Sequence, residues 1–161
     1  MKHKAAVVLL HETTTDALIL TKRTQHLKSH PGEYCFPGGV EEKQDQSLWT
    51  TALRELYEEL GIDERRVSLQ KPMAPESTLS NVLIYPWLAT IQAIEPYVIN
   101  EAEVEHIIRL PMQDVLNTTN YQEFSFKKSG QNYSSFRFTA TQAFVWGATA
   151  KIMRQLALHD L

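Results

Sequence analysis

Residues 54–62 read Arg-Glu-Leu-Tyr-Glu-Glu-Leu-Gly-Ile, which sets Glu55, Glu58 and Glu59 beside Arg54 just ahead of a glycine. On a helix each residue advances about 100°, so Glu58 and Glu59 fall about 60° to one side and 40° to the other of Glu55. All three carboxylates then project from one face. Such a face is either a solvated charge stripe or a cation site, and helix energetics weigh against the stripe. Glu55 and Glu59 are like charges at i,i+4, which repel by a few tenths of a kcal/mol. Glu58 and Glu59 also lie in the last turn, where the helix dipole disfavours anions by roughly 0.3–1 kcal/mol. A hard divalent cation, Mg²⁺ or Mn²⁺, offsets both penalties because it prefers clustered oxygen ligands.

The run Phe36-Pro37-Gly38-Gly39 supplies a second half of a site. Two residues without side chains let backbone approach a ligand closely, and a bare carbonyl or amide can face a metal or a phosphate. Such a run is also a common turn. It gains meaning from the acidic segment that follows it.

The elements that must hold these groups can be read from periodicity. Ala5–Leu10 and Ala17–Lys22 are β-rich runs joined by polar residues, which suggests a hairpin. Residues 23–39 show little periodicity and form a long loop with a short strand around Tyr34–Phe36, and long ordered loops are usually functional. Leu48, Ala52, Leu56 and Leu60 recur every fourth residue, which predicts a helix over Ser47–Leu60, capped by Ser47 or Asp45 and stopped by Gly61. Residues 66–70 and 81–94 read as strands, with Pro86 arguing for an edge position or a bulge. Residues 103–111 alternate polar and apolar, and 112–116 suit a short helix. Residues 121–138 predict a hairpin turning near Ser129-Gly130, and Thr141–Leu158 an amphipathic helix capped by Thr139 or Thr141. The expected fold is α/β, one domain over residues 1–161 with helices packed on a mixed sheet.

Composition agrees with that expectation. The 161 residues are 43% hydrophobic and 22% charged, ordinary for a globular chain, and the net charge of -3 offers no broad basic surface for a nucleic-acid polymer. Cys35 is alone, so no intrachain disulfide forms and a reducing compartment is expected. The apolar run Ala5–Leu10 is too short for a signal-peptide core or a membrane span. A cytoplasmic protein with no membrane association follows as the expectation.

Gly39, Asp45 and the segment 54–62 resemble the signature of the Nudix hydrolase family: glycine, five residues, glutamate, seven residues, then Arg-Glu-aliphatic-x-Glu-Glu-x-Gly-aliphatic. Asp45 stands where that signature has its first glutamate, and eight residues separate it from Arg54. The loop resembles the additional motif of the coenzyme A pyrophosphatase branch, Leu-Leu-Thr-x-Arg-Ser, three residues, Arg, a spaced Gly and Phe-Pro-Gly-Gly. Leu20, Thr21, Arg23, Gly32 and Phe36–Gly39 match in register, while Thr24 replaces the serine and Lys28 the arginine. That branch shares the aspartate and the longer spacing.

The resemblance implies a Nudix-type α/β/α sandwich that hydrolyses the diphosphate bond of coenzyme A or its thioesters to 4′-phosphopantetheine and 3′,5′-ADP. Alternatives are another nucleoside diphosphate derivative, such as ADP-ribose or a nucleoside triphosphate, or a non-catalytic binding module on the same fold. An isomerase on that fold would need a catalytic cysteine, for which Cys35 is the one candidate. The resemblance also implies Glu55, Glu58 and Glu59 as ligands of Mg²⁺ or Mn²⁺, with the Gly38 carbonyl as a further ligand. Arg54 would orient Glu58 or Asp45. Glu59 is the first candidate for general base and Glu103 the second. Arg23 and Lys28 are candidates for the substrate phosphates, Phe36 for the cleft lining and Gly39 for close approach to substrate. A homodimer stays open.

Other residues of chemical type read as structural. His26 and His30 sit in a loop rather than on a helix, Cys35 in a strand, and Glu101 and Glu105 are solvated charges. Trp49, Trp87 and Trp146 are core or interface aromatics, and Lys127 and Lys128 are solvated residues beside a turn.

Overall fold

In the computed structural model, which describes residues 3–159, strand β1 (His3–Glu12) explains the architecture by its burial pattern. Ala6, Val8 and Leu10 are buried on one face of the sheet, with Ala52, Leu56 and Leu60 of helix α1 (Leu48–Leu60). Val7 and Leu9 are buried on the other, with Ile152, Met153 and Leu156 of helix α3 (Gly147–His159). A strand covered on both faces needs a continuous apolar run rather than alternation, and that is what the sequence has. The result is the expected layering of helix, mixed sheet and helix.

Strand β1 runs parallel to β7 (Val82–Ile91) over its whole length and antiparallel to β2 (Ala17–Arg23) only at Leu10–Glu12. Beyond that point β1 and β2 part. The gap is filled by β3 (Tyr34–Cys35), which pairs with β2, and by β4 (Gly38–Val40), which pairs with β1. Residues 34–40 are thus wedged into a fork of the main sheet. Strands β5 (Ser68–Pro72) and β6 (Glu76–Ser77) flank β7, and β8 (Val104–Pro111) flanks β2, completing eight strands. A short helix α2 (Met112–Val115) follows.

A separate three-stranded antiparallel sheet holds β9 (Tyr121–Lys128), β10 (Gln131–Phe138) and β11 (Val145–Trp146). The turn at Ser129-Gly130 is as expected: both residues have positive φ, 52° and 78°, and Lys128 pairs with Gln131 across a two-residue loop.

Two expectations need correction. The last helix begins at Gly147, not Thr141, because Val145 and Trp146 pair with Phe138 and Arg137 as a strand. Thr139 and Thr141 accordingly cap no helix: Thr139 bonds to the Asn120 carbonyl, and Thr141 accepts weakly from the Ala143 amide. The apolar spacing of 141–158 fitted a helix, but a β-branched and an aromatic residue before a glycine took the strand alternative.

Nor does Pro86 mark an edge. It lies within β7, between β1 and the β5–β6 side. Its carbonyl accepts from the Met73 amide on that side, where the neighbouring chain passes between β5 and β6 and forms no ladder. The missing N–H therefore falls where no partner strand needs it.

Candidate active site

Helix α1 presents the acidic residues because both of its ends are fixed. The Ser47 hydroxyl accepts from the Thr50 amide at 3.1 Å, and Gly61 closes the helix in a left-handed conformation with its amide on the Tyr57 carbonyl. Of the two capping candidates, Ser47 is the cap. Asp45 has a different task. Its side chain is 3% exposed and takes two bonds from Arg54, Nε to Oδ1 at 2.9 Å and Nη2 to Oδ2 at 3.0 Å. The Thr51 hydroxyl and the Glu42 amide complete its shell. The guanidinium therefore holds the Asp45 carboxyl well below the usual carboxylate range.

Arg54 also reaches into the acidic cluster. Its Nη1 donates to Glu55 at 2.9 Å and to Glu58 at 3.2 Å, and its Nη2 to the Val40 carbonyl at 3.2 Å. One guanidinium thus ties the start of the 41–47 connection to the middle of α1. Arg54 thus touches both of the residues named for it, Asp45 and Glu58.

Glu59 is buried, and its Oε2 accepts from the Gly38 amide at 3.2 Å. Burial, then the adjacent Glu55 charge, push its carboxyl well above the ordinary value. Glu55 is raised as well, chiefly by burial and against the pull of Arg54. The glycine pair is what permits this contact between loop and helix. A Cβ on Gly39 would sit 2.6 Å from the Glu55 carboxyl carbon, and one on Gly38 would sit 2.2 Å from the Ala6 carbonyl oxygen.

Glu103 is brought to the same place by backbone bonds. The Asn100 amide bonds to the Glu59 carbonyl at 2.9 Å, and the Thr24 amide to the Glu103 carbonyl at 3.1 Å. The charge of Glu103 contributes to raising both Glu55 and Glu59.

These residues open onto a cleft of about 640 Å³, lined by Glu55, Glu59, Glu103, Gly38, Gly39, Arg23 and Phe36 among others. Seven residues picked out from the sequence therefore meet in one cavity of the size that small-molecule sites have. Three do not line it. Glu58 is 47% exposed and turned toward Arg54, Arg54 itself lies behind the carboxylates, and Lys28 is exposed on the loop. Arg23 is steered by its Nε bond to the Ser29 carbonyl at 3.1 Å.

The donors present fit a hard divalent cation. They are all oxygen, Glu55 and Glu59 are like charges in a partly desolvated wall, and Gly39 leaves room beside Glu55. Glu58 joins them only by leaving Arg54; among the described residues no three acidic, histidine or cysteine side chains already converge around one point.

Several residues have roles that differ from the sequence reading or were absent from it. Lys128, expected to be solvated, lines the cleft, as do Lys151 and Trp146. No pattern in the sequence signals this, because the wall arises from packing the second sheet and α3 against the first. Glu105 pairs with Lys22 at 3.1 Å. Glu12 is fully buried at the end of β1, where Arg109 donates to it at 2.7 and 3.2 Å and the Ile94 amide at 2.7 Å. Burial pushes the Cys35 thiol up to about 11, which keeps it protonated and a poor nucleophile.

Known proteins resemble this chain in sequence and in fold. A family model described as the NUDIX domain matches residues 1–128. A protein of Yersinia pestis described as an uncharacterized Nudix hydrolase, NudL, is 34% identical over 140 residues, 87% of this chain and 70% of that protein. Among solved structures, DR0079 of Deinococcus radiodurans superposes with a TM-score of 0.64 at 15% identity, covering 95% of this chain and 82% of the other. An Ap4A hydrolase of C. elegans, solved as a binary complex, gives 0.58 at 16% identity, covering 70% and 83%. These last two are likenesses of fold. With the matched domain, the NudL identity and the glycine-helix contact at Glu55 and Glu59, this chain belongs to the Nudix family.

Proposed function

We propose that the protein hydrolyses the diphosphate bond of coenzyme A or its thioesters, in a reaction that depends on Mg²⁺ or Mn²⁺. One observation carries this reading: the loop that resembles the coenzyme A branch lines the same cleft as the signature glutamates, through Thr21, Arg23 and Phe36 beside Glu55 and Glu59.

Glu55 and Glu59 would hold the cation, with Glu58 and the Gly38 carbonyl as further ligands. A divalent cation supplies charge neutralisation for the diphosphate oxygens and acidifies water. The protein's own groups do the rest. Arg54 positions the carboxylates from behind, through Asp45 and Glu55. Glu59 is the first candidate to take a proton from the attacking water and Glu103 the second, since both lie in the cleft within one hydrogen-bonded frame. Arg23 presents a fork of donors for phosphate, and Lys28, exposed on the loop, a compact charge. Phe36 and Gly39 shape the wall against the substrate.

The deciding experiment measures turnover of coenzyme A, acetyl-coenzyme A, ADP-ribose, Ap4A and nucleoside triphosphates with and without Mg²⁺. Coenzyme A forms should be preferred, with metal-dependent release of 3′,5′-ADP. Preference for ADP-ribose or a triphosphate would redirect the substrate reading, and no metal-dependent turnover of any compound would leave the binding-module alternative.

A further inference from the structure

After α1 the chain turns through Glu64–Arg66, and the half-buried side chain of Arg66 reaches residues 27 to 30 positions further on. Its guanidinium donates to four consecutive backbone carbonyls: Nη1 to Pro96 at 2.7 Å, and Nη2 to Ala93, Ile94 and Glu95 at 2.8, 3.0 and 2.9 Å. The same stretch has a second set of holds. The Ile94 amide donates to buried Glu12 at 2.7 Å, Arg109 joins Glu12 to the Glu95 carboxylate, and the Ile94 side chain is fully buried with Leu56, Leu60 and Ile62. The Arg66 bonds to Glu95 and Pro96 lie at exposed positions, where water would satisfy a carbonyl about as well. What the guanidinium adds there is a fixed backbone path.

That path leads to the cleft. The Val98 amide donates to the Leu60 carbonyl and the Asn100 amide to the Glu59 carbonyl, each at 2.9 Å. These are two of the last four carbonyls of α1, which no residue within the helix can satisfy. The Asn100 carbonyl then accepts from the Glu103 amide at 3.0 Å and the Val104 amide at 2.9 Å, a turn that sets Glu103 in the cleft wall. The residues carrying Glu59 and Glu103 are thus joined through the segment that Arg66 holds. Arg66 itself does not line the cleft.

We propose that Arg66 is a positioning residue for the hydrolysis: by fixing the carbonyls of residues 93–96 it sets where residues 98–103 cross the end of α1, and so holds Glu103 in register with Glu59 at the cleft. This rests on the reading of the protein as a metal-dependent hydrolase in which Glu103 serves the reaction, and it is independent of which diphosphate is the substrate. A planar fork suits the task because it meets several carbonyls at once, which a lysine ammonium on a flexible stem does not reproduce.

Two measurements on the full chain test it. In Arg66→Ala the Val98 and Asn100 amides should exchange with deuterium about tenfold or more faster than in the wild type, a larger change than at the Val8 amide of the central strand. Kinetics then use whichever diphosphate compound the wild type turns over, below the unfolding range of every variant. Arg66→Ala should lower kcat about tenfold with KM within about twofold of the wild type. In a Glu103→Gln background the same substitution should lower kcat by about twofold or less, because the group it positions is already gone. Arg66→Lys should recover only part of the loss. Destabilisation alone would act alike in both backgrounds. Equal losses in the two backgrounds, full kcat in Arg66→Ala, or exchange at Val98 and Asn100 no more altered than at Val8 overturns the positioning role and leaves the hydrolase reading standing. Full kcat in Glu103→Gln alone overturns the part given to Glu103 and the positioning role with it. A wild type without metal-dependent turnover overturns the hydrolase reading, and exchange then decides alone whether Arg66 holds the segment.

Discussion

Arg54 grips Asp45 through two parallel bonds of 2.9 and 3.0 Å, and the same guanidinium reaches Glu55 at 2.9 Å. The aspartate is 3% exposed, so its charge depends on that grip. Removing the guanidinium takes two charge-assisted bonds from the carboxylate, at a cost of about 1.5–3 kcal/mol. Arg54→Gln should therefore lower the urea midpoint strongly as well as activity. Arg54→Lys keeps the charge but loses the fork, and should fall between the two. A midpoint unchanged in Arg54→Gln would show that Asp45 is satisfied by Thr51 and the Glu42 amide alone.

The two glycines of the loop should respond differently to the same added methyl group. At Gly38 a Cβ meets the Ala6 carbonyl oxygen at 2.2 Å, which is backbone inside the sheet and has nowhere to go. Gly38→Ala should cost about 3 kcal/mol or more, or fail to fold. At Gly39 the obstacle is the Glu55 carboxylate, the free end of a flexible side chain. Gly39→Ala should stay within about 1–2 kcal/mol of wild type and instead lose Mg²⁺ affinity and kcat. Equal stability losses at the two positions would contradict the geometry.

Glu59 is expected to matter to function and to oppose stability. Glu59→Gln should lower kcat by about 10²–10⁴-fold with the fold intact. Its folded pKa lies above the unfolded one, so its contribution is fully present below the unfolded value near 4.5 and is lost as pH rises through the folded value. At neutral pH without metal, then, the neutral glutamine should raise Tm. Mg²⁺ should raise the Tm of the wild type more than that of the variant. A variant with near-normal turnover would remove Glu59 from the mechanism.

Glu12 gives the opposite sign. The Arg109 hydrogen bond holds its carboxyl at about 2, below an ordinary value of 4.5. Its contribution is present above the unfolded pKa and lost as pH falls through the folded one. The difference corresponds to about 3 kcal/mol in favour of the folded state at neutral pH. Wild-type stability should fall between about pH 5 and pH 2, and Glu12→Gln should flatten that slope by about one proton. Identical slopes in the two proteins would show that the pair titrates the same way unfolded.

Much of this was legible in the residues. Leu48, Ala52, Leu56 and Leu60 gave α1 its extent, and the unbroken apolar run of β1 read as a strand. Glu55, Glu59 and Gly39 could be paired before any coordinates because a helix of known pitch and a glycine step are local features. Lys128, Lys151 and Glu12 could not. The two lysines reach the cleft only through the packing of separate sheets, Arg109 is 97 residues from Glu12, and no periodicity encodes such a meeting. The helix expected from Thr141 failed for a related reason: Val145 and Trp146 became a strand because β10 offered an edge, which is a tertiary fact.

The fork between β1 and β2 has a consequence for motion. Residues 34–40 carry two glycines and a proline and look like a connection, yet they are clamped from both sides. The Val8 amide bonds to the Pro37 carbonyl at 2.9 Å, the Arg23 amide to the Glu33 carbonyl at 2.8 Å, and β4 pairs with Ala5–Val7. Opening this stretch requires parting the central strands themselves. Its amides should thus exchange with solvent deuterium on the timescale of global unfolding, while residues 25–31, outside the fork, exchange orders of magnitude faster.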